Sequence, residues 1–178
     1  LTRAMELKEA PGSKVESVTV ANVGRQETEA TLRKALAIGA DKAIRVDADA
    51  RDAFYVASQL AKVCQGFDLI FAGVEASDYN GAAVGGMLAE LLGMQSVSAV
   101  SGLQAEEGFV RITREIEGGS QTLTAATPLM AIVQKGIAKE PRIPAMRGIM
   151  MARSKPLEVL SPVDTETRVS FASFDLPP

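Results

Sequence analysis

Apolar positions along this chain follow two rhythms, and the change from one to the other divides the sequence. Leu1–Glu9 reads as the last turns of a helix, stopped by Pro11-Gly12. Val15–Val23 is β-branched and mostly apolar, as a buried strand should be. After Gly24, the positions Ala30, Leu32, Ala35, Leu36 and Ile38 predict a helix over Glu27–Ala40, ended by Gly39. Lys42–Val46 is a short strand. The polar run Asp47–Asp52 leads into a helix whose acidic start suits its positive end. There Ala53, Val56, Ala57, Leu60 and Cys64 recur at helical spacing along one stripe. Asp68–Gly73 (DLIFAG) predicts a central parallel strand and Val74–Gly81 a loop. Val84, Met87, Leu88, Leu91 and Leu92 then predict a helix closed by Gly93. Alternation of this kind specifies an α/β three-layer sandwich on a mostly parallel sheet.

The second half changes to period two. Val97–Val100 is a strand, and Phe109–Ile116 places Val110, Ile112 and Ile116 opposite Arg111, Thr113 and Glu115. Gly118-Gly119 precedes a strand over Gln121–Ala125. This predicts a β-hairpin whose two glycines supply positive φ. Leu129–Val133 is a further apolar strand, Glu140–Pro144 a proline-punctuated loop, and Ala145–Ala152 a short helix. Leu157–Leu160 and Val169–Phe174 read as edge strands. The hairpin and the antiparallel strands are thus added to the parallel part. Neither a linker nor an internal repeat is visible, so residues 1–178 read as a single domain.

Composition narrows the chemistry. The chain has 178 residues, 47% hydrophobic and 23% charged, with no Trp and 4% aromatic residues, so the core must be aliphatic. A net charge of −3 argues against a general nucleic-acid binder. No apolar run approaches the length of a membrane span, and the opening LTRAMELKEA does not read as a secretion signal. There is no histidine, which removes Ser-His-Asp and Cys-His catalysis and the commonest metal ligand. Cys64, the only cysteine, lies on an apolar helical stripe and reads as a core residue in a reducing compartment.

Two segments hold candidate chemistry. The strand–loop–helix at 68–93 has Gly73 and Gly81 in its loop and Ala82-Ala83-Val84-Gly85-Gly86 at the helix start. Unpaired N–H groups at a helix N-terminus suit a phosphate, and ligands of open α/β sheets sit at the carboxyl ends of strands. The same small residues would equally serve close helix–sheet packing, and the loop matches no specific phosphate fingerprint. Asp78 with Glu75 is a carboxylate pair or, without a partner base, a helix-start cap. Thr28 follows a strand end and either faces the same crevice or caps the next helix. The segment Glu140–Lys155 carries Arg142, Arg147, Arg153, Lys155, Met146, Met150 and Met151. It is either an adaptable docking surface or a helix with its methionines turned inward.

These segments follow one another as in a known family. LKEAPGSKVESVTVANVGRQETEATLRKALAIGADKAIRVD, DLIFAGVEASDYNGAAVGGMLAELLG, REIEGGSQTL and EPRIPAMRGIMMARSKPLEVL together resemble the β subunit of an electron transfer flavoprotein, from about Leu1 to about Asp164. The resemblance implies an adenine-nucleotide α-hydrolase-like fold and an electron carrier subunit rather than an enzyme. It implies pairing with an α subunit, an FAD held mainly by that subunit, and a structural AMP in this chain, replaced by a second FAD in electron-bifurcating relatives. The nucleotide site would comprise Thr28 and the loop Gly73, Val74, Glu75, Ala76, Ser77, Asp78, Tyr79, Asn80, Gly81, Ala82, Ala83 and Val84. Dehydrogenases would dock on the loop 141–151 through Pro141, Arg142, Met146, Ile149, Met150 and Met151, with Met146 as the protruding anchor. Cytoplasm is implied for a bacterial protein, the mitochondrial matrix for a eukaryotic one.

The loop departs from the family's usual Q-A-I-D-x-D-x-x-Q-[TV]-G. Asp78, Val84 and Gly85 are kept, but Glu75 and Ala83 stand where glutamines are usual, which removes two amide donors and adds a negative charge. Family members also have a strand before the point matching Leu1 and an arm beyond the point matching Pro178. Without that strand, the sheet is expected to have a central gap. Two other readings stay open: a nucleotide-binding or interaction module of this fold without a redox role, and a hydrolase, which the lack of a paired acid–base set disfavours.

Overall fold

The structure is a computed structural model that describes residues 1–76, 80–106, 108–170 and 172–173. In chain order it contains α1 (Thr2–Glu9), β1 (Thr19–Val23), a 3-10 turn (Gln26–Thr28), α2 (Glu29–Ile38), β2 (Lys42–Val46), α3 (Ala53–Val63), β3 (Leu69–Gly73) and α4 (Val84–Leu92). There follow β4 (Gln95–Glu106), β5 (Phe109–Ile116), β6 (Gly119–Ala126), β7 (Leu129–Val133), α5 (Met146–Ala152) and β8 (Leu157–Leu160).

The strands form two sheets. One has the order β1-β2-β8 and is wholly parallel; the other has the order β3-β7-β4-β5-β6. In the second sheet β3, β7 and β4 run parallel, while β5 and β6 are antiparallel additions. Among the described residues no ladder joins β1 to β3, and each ends its own sheet.

Two helices span both sheets. On one face α1 sends Met5 into a cluster with Leu32, Leu36 and Ala43, and Leu7 into a cluster with Val97, Leu103, Ile112 and Leu129. On the other face α3 packs Tyr55 against Val23 and Val46, and Ala57 and Cys64 against Met130. Period two explains how one strand serves both layers. Along β7, Leu129 and Ala131 face the α1 side while Met130 and Ile132 face α3 and α4. Helix on sheet on helix is the three-layer sandwich expected from the alternating pattern.

The differences from the sequence-based elements have local causes. The chain at Val15–Val18 is not in a strand. The Val18 N–H is taken by the Asp41 carboxylate at 2.7 Å, and the Val18 carbonyl accepts from the Asp41 N–H at 2.8 Å. The helix expected over Glu27–Ala40 is shorter and preceded by the 3-10 turn. Strand β4 continues well past Val100 and pairs with β5 as far as Glu106; its register shifts against β7 between Val97 and Val100, around Ala99 (φ 56°), and against β5 between Val100 and Gly102. In the hairpin only Gly118 has positive φ (80°); Gly119 is an ordinary strand residue opposite Ile116. No strand forms at 169–170; Phe171 and Phe174 lie outside the described residues.

Candidate functional site

The candidate nucleotide loop leaves β3 at Gly73. The Val74 N–H still donates to the Val133 carbonyl at 3.0 Å, so the strand ladder holds the loop's first residue. From Gly73 to Ala76 and from Asn80 to Ala82 the chain is exposed. Asn80 (φ 47°) and Ala82 (φ 46°) are left-handed, a conformation that asparagine tolerates and that costs an alanine about 1–2 kcal/mol. The Asn80 N–H donates to the Ala76 carbonyl at 2.8 Å, closing the loop on itself. Ser77, Asp78 and Tyr79 lie outside the described residues.

Helix α4 starts with Ala83 at its N-cap and no side-chain cap. The Ala83 side chain satisfies none of the N–H groups of its first turn. The two glycines that follow differ. A Cβ on Gly85 would lie 3.0 Å from the Ile132 side chain and 3.3 Å from the Ala72 Cβ, so Gly85 serves helix–sheet packing. A Cβ on Gly86 would meet nothing within 4 Å, and this side of the helix is open.

Thr28 lies at the end of the other sheet. It occupies the N-cap of α2 but makes no cap bond. Its hydroxyl lies 3.0 Å from Asn22 Oδ1 and 2.8 Å from the Arg25 carbonyl oxygen, and donates to one of them. Gly24 makes this position possible, since a Cβ there would lie 2.6 Å from the Thr28 methyl group. Beside it, the Arg45 side chain is 5% exposed and fully engaged. It pairs with Glu29 at 3.1 Å and Asp47 at 2.7 Å, and donates to the Gly24 carbonyl at 2.9 Å. Arg25 forms a two-pronged pair with Asp49 at 2.9 and 2.7 Å, which holds the Asp49 carboxyl below its ordinary range. The cations of this strand end are thus matched by carboxylates. Asn22, Gly24 and Arg45 are absent from the sequence-based site. The one signal for them was a charged residue inside the apolar strand KAIRV.

The 140–155 segment presents a different surface. Ile143 is 87% exposed, Met146 74%, Met150 67% and Met151 51%, with Ile149 at 45%. Of the two alternatives for the methionines, the structure has them facing outward. Pro141 is exposed too, but Arg142 is drawn back toward α1. Its guanidinium grips Glu9 at 2.8 and 2.5 Å, and its N–H donates to Thr2 Oγ1 at 3.0 Å. That contact holds the Glu9 carboxyl below its usual range. Arg142 therefore ties the loop to α1.

Elsewhere Cys64 is buried and desolvation pushes its thiol pKa up, as for an inert core cysteine. Among the described residues no cluster of carboxylates or thiols has the makings of a metal site, and no helix is long and apolar enough to cross a membrane.

A family model, the electron transfer flavoprotein domain, matches residues 1–165. The chain is 34% identical over 179 residues to the electron transfer flavoprotein subunit beta of Syntrophomonas wolfei, covering 98% of this chain and 69% of that protein. It is 39% identical over 172 residues to that of Methylophilus methylotrophus (92% and 64%) and 35% identical over 166 residues to that of Bacillus subtilis (90% and 63%). It spans somewhat under two thirds of the length of the last two.

Proposed function

The chain belongs to the electron transfer flavoprotein family, and on that premise we propose that it acts as the β subunit of a heterodimeric electron carrier. Its partner in this reading is an α subunit that holds most of an FAD. Electrons come from dehydrogenases and pass to an acceptor, so the chain is a carrier subunit and not an enzyme. The observation that carries the reading is the family match over residues 1–165, nearly the whole chain.

The structure supports a division of labour within that role. A flavin supplies the electron-accepting chemistry when bound. This chain's own residues offer a nucleotide phosphate the first turn of α4, which Ala83 does not cap, beside the open face at Gly86. Ala83 offers no side-chain donor, and Glu75 is exposed. Affinity for an AMP-like nucleotide would rest on the main chain, with Thr28 and Asn22 near the other strand end. Dehydrogenases would meet the apolar surface of Ile143, Met146, Ile149, Met150 and Met151, with Met146 as the knob.

Co-expression with the α subunit from the same genome tests the proposal. The expected product is a yellow heterodimer whose flavin is reduced by a dehydrogenase. Mass spectrometry of the ligands released from it should find FAD and an adenine nucleotide. A stable heterodimer without flavin would support instead the reading of an interaction module on this fold. Failure to form any heterodimer would overturn the proposal.

A further inference from the structure

Helix α5 is held in an unusual way for the surface that carries the exposed methionines. Its inward face contains only small residues. Ala152 is 3% exposed, in the cluster with Leu32, Leu36 and Ala43. One turn earlier, Gly148 lies directly on the backbone of α2. A Cβ there would collide with the Ala37 carbonyl oxygen and lie 3.3 Å from its carbonyl carbon. A helix of seven residues does not persist alone. Its large apolar groups all point to solvent, so they do little to hold it.

The remaining hold is polar and crossed. Arg33, on α2, donates through Nη1 to the carbonyls of Ala152 at 2.7 Å and Lys155 at 2.9 Å, at the end of α5. Lys155, just beyond α5, donates through Nζ to the carbonyls of Leu36 (3.1 Å), Gly39 (3.3 Å) and Ala40 (2.7 Å), at the end of α2. Each helix thus has a cation from the other segment at its negative end, where unpaired carbonyls need donors.

We propose that Arg33, Gly148 and Lys155 are positioning residues for partner docking. They clamp α5 against α2, so that its apolar side chains are already presented when the donor dehydrogenase arrives. The inference rests on the docking role proposed above. A surface competent only part of the time binds more weakly in proportion to that fraction. Opening the clamp therefore raises KM and leaves the transfer step itself alone.

The test uses the flavin-loaded heterodimer and a dehydrogenase first shown to reduce the wild-type protein. KM for the heterodimer and kcat are measured for Lys155→Gln, Arg33→Gln, Lys155→Arg and Met146→Ala, with tryptic cleavage after Arg147 and Arg153 followed in parallel. The expectation is a KM raised roughly tenfold in both glutamine variants, as when α5 is formed about a tenth of the time. Their kcat should stay within about twofold of wild type, reduction by dithionite should be unchanged and cleavage faster, and Lys155→Arg should recover most of the KM. If Met146→Ala raises KM and the glutamine variants do not, the clamp is refuted while the docking role stands. If Met146→Ala has no effect either, the docking role fails and the clamp with it. A fall in kcat at constant KM also refutes it. Should Lys155→Gln fail to assemble, Arg33→Gln carries the same test, since its half-buried side chain donates to the α5 end.

Discussion

Replacing Gln59 with leucine should detach one short stretch of chain from α3 while leaving α3 intact. Gln59 is 1% exposed, and its amide binds residues 163–165 as a neighbouring strand would. Its Nε2 donates to the Val163 carbonyl and to Thr165 Oγ1, each at 2.9 Å, and its Oε1 accepts from the Val163 N–H at 2.8 Å. Leucine nearly fills the same volume, so the change removes bonds without opening a cavity. Each bond contributes about 1 kcal/mol net, which puts local opening at about 2–3 kcal/mol. At about 1.4 kcal/mol per decade, the Val163 amide should exchange with solvent about 30- to 140-fold faster in the variant. Val163 is 37% exposed, so its freed groups return to water and the global loss should not exceed the same about 2–3 kcal/mol. Downstream contacts remain: Arg51 with Thr167 at 3.3 Å, and the Arg168 guanidinium 4.3 Å from the centre of the Phe54 ring. The acceleration should therefore fade along the segment. Hydrogen–deuterium exchange with mass spectrometry reads this directly. A change of less than about threefold at Val163 would refute the reasoning, as would equal acceleration of the α3 amides.

Five further outcomes follow from the same structure. Met146→Ala should slow electron transfer from a dehydrogenase with a melting temperature near that of wild type, because the residue is 74% exposed; an unchanged transfer rate refutes its docking role. Leu36→Ala, at 1% exposure, should cost about 2–5 kcal/mol in denaturant unfolding. Ala99→Gly relieves a left-handed residue (φ 56°), and after the added freedom of the unfolded chain should stabilise by up to about 1 kcal/mol. Ala105→Gly, in ordinary strand backbone, should destabilise, and both are read by thermal unfolding. Burial pulls the Asp41 carboxyl pKa up, but the Lys8 ammonium at 2.6 Å and the Val18 N–H outweigh it and hold it below its ordinary range. The stability it contributes is present above the unfolded carboxylate value near about 3.9 and is lost as pH falls through the lower folded value. Asp41→Asn should thus be less stable than wild type in urea at neutral pH, and the difference should shrink in acid.

Legibility tracked how many constraints each residue satisfies locally. Helices α3 and α4 were plain because one apolar stripe fixes each, and β7 because a short apolar run bounded by turn residues leaves little choice. Val15–Val18 misled because its composition suits a strand, whereas its backbone partner is a side chain far along the chain, Asp41. The second half of β4 was missed because the strand passes through two register shifts, around Ala99 and between Val100 and Gly102, and an alanine does not advertise positive φ. At the candidate sites, the loop after β3 and the methionine-rich helix stood out as local patterns. Asn22, Gly24, Arg33 and Arg45 did not, since their roles exist only once distant segments meet. Gly85 shows the limit of reading small residues: it packs against Ile132, while its neighbour Gly86 faces open space.

The outward methionines have a chemical consequence. A thioether in water is open to oxidants, and conversion to the sulfoxide turns an apolar, pliable group into a polar one. Met146, Met150 and Met151 are 74%, 67% and 51% exposed, whereas Met5 and Met130 are 4% and 0% exposed. Mild peroxide should thus reach the surface sulfurs well before the core ones. The protein would keep its fold while that surface turned polar, and a methionine sulfoxide reductase could return it to its first state.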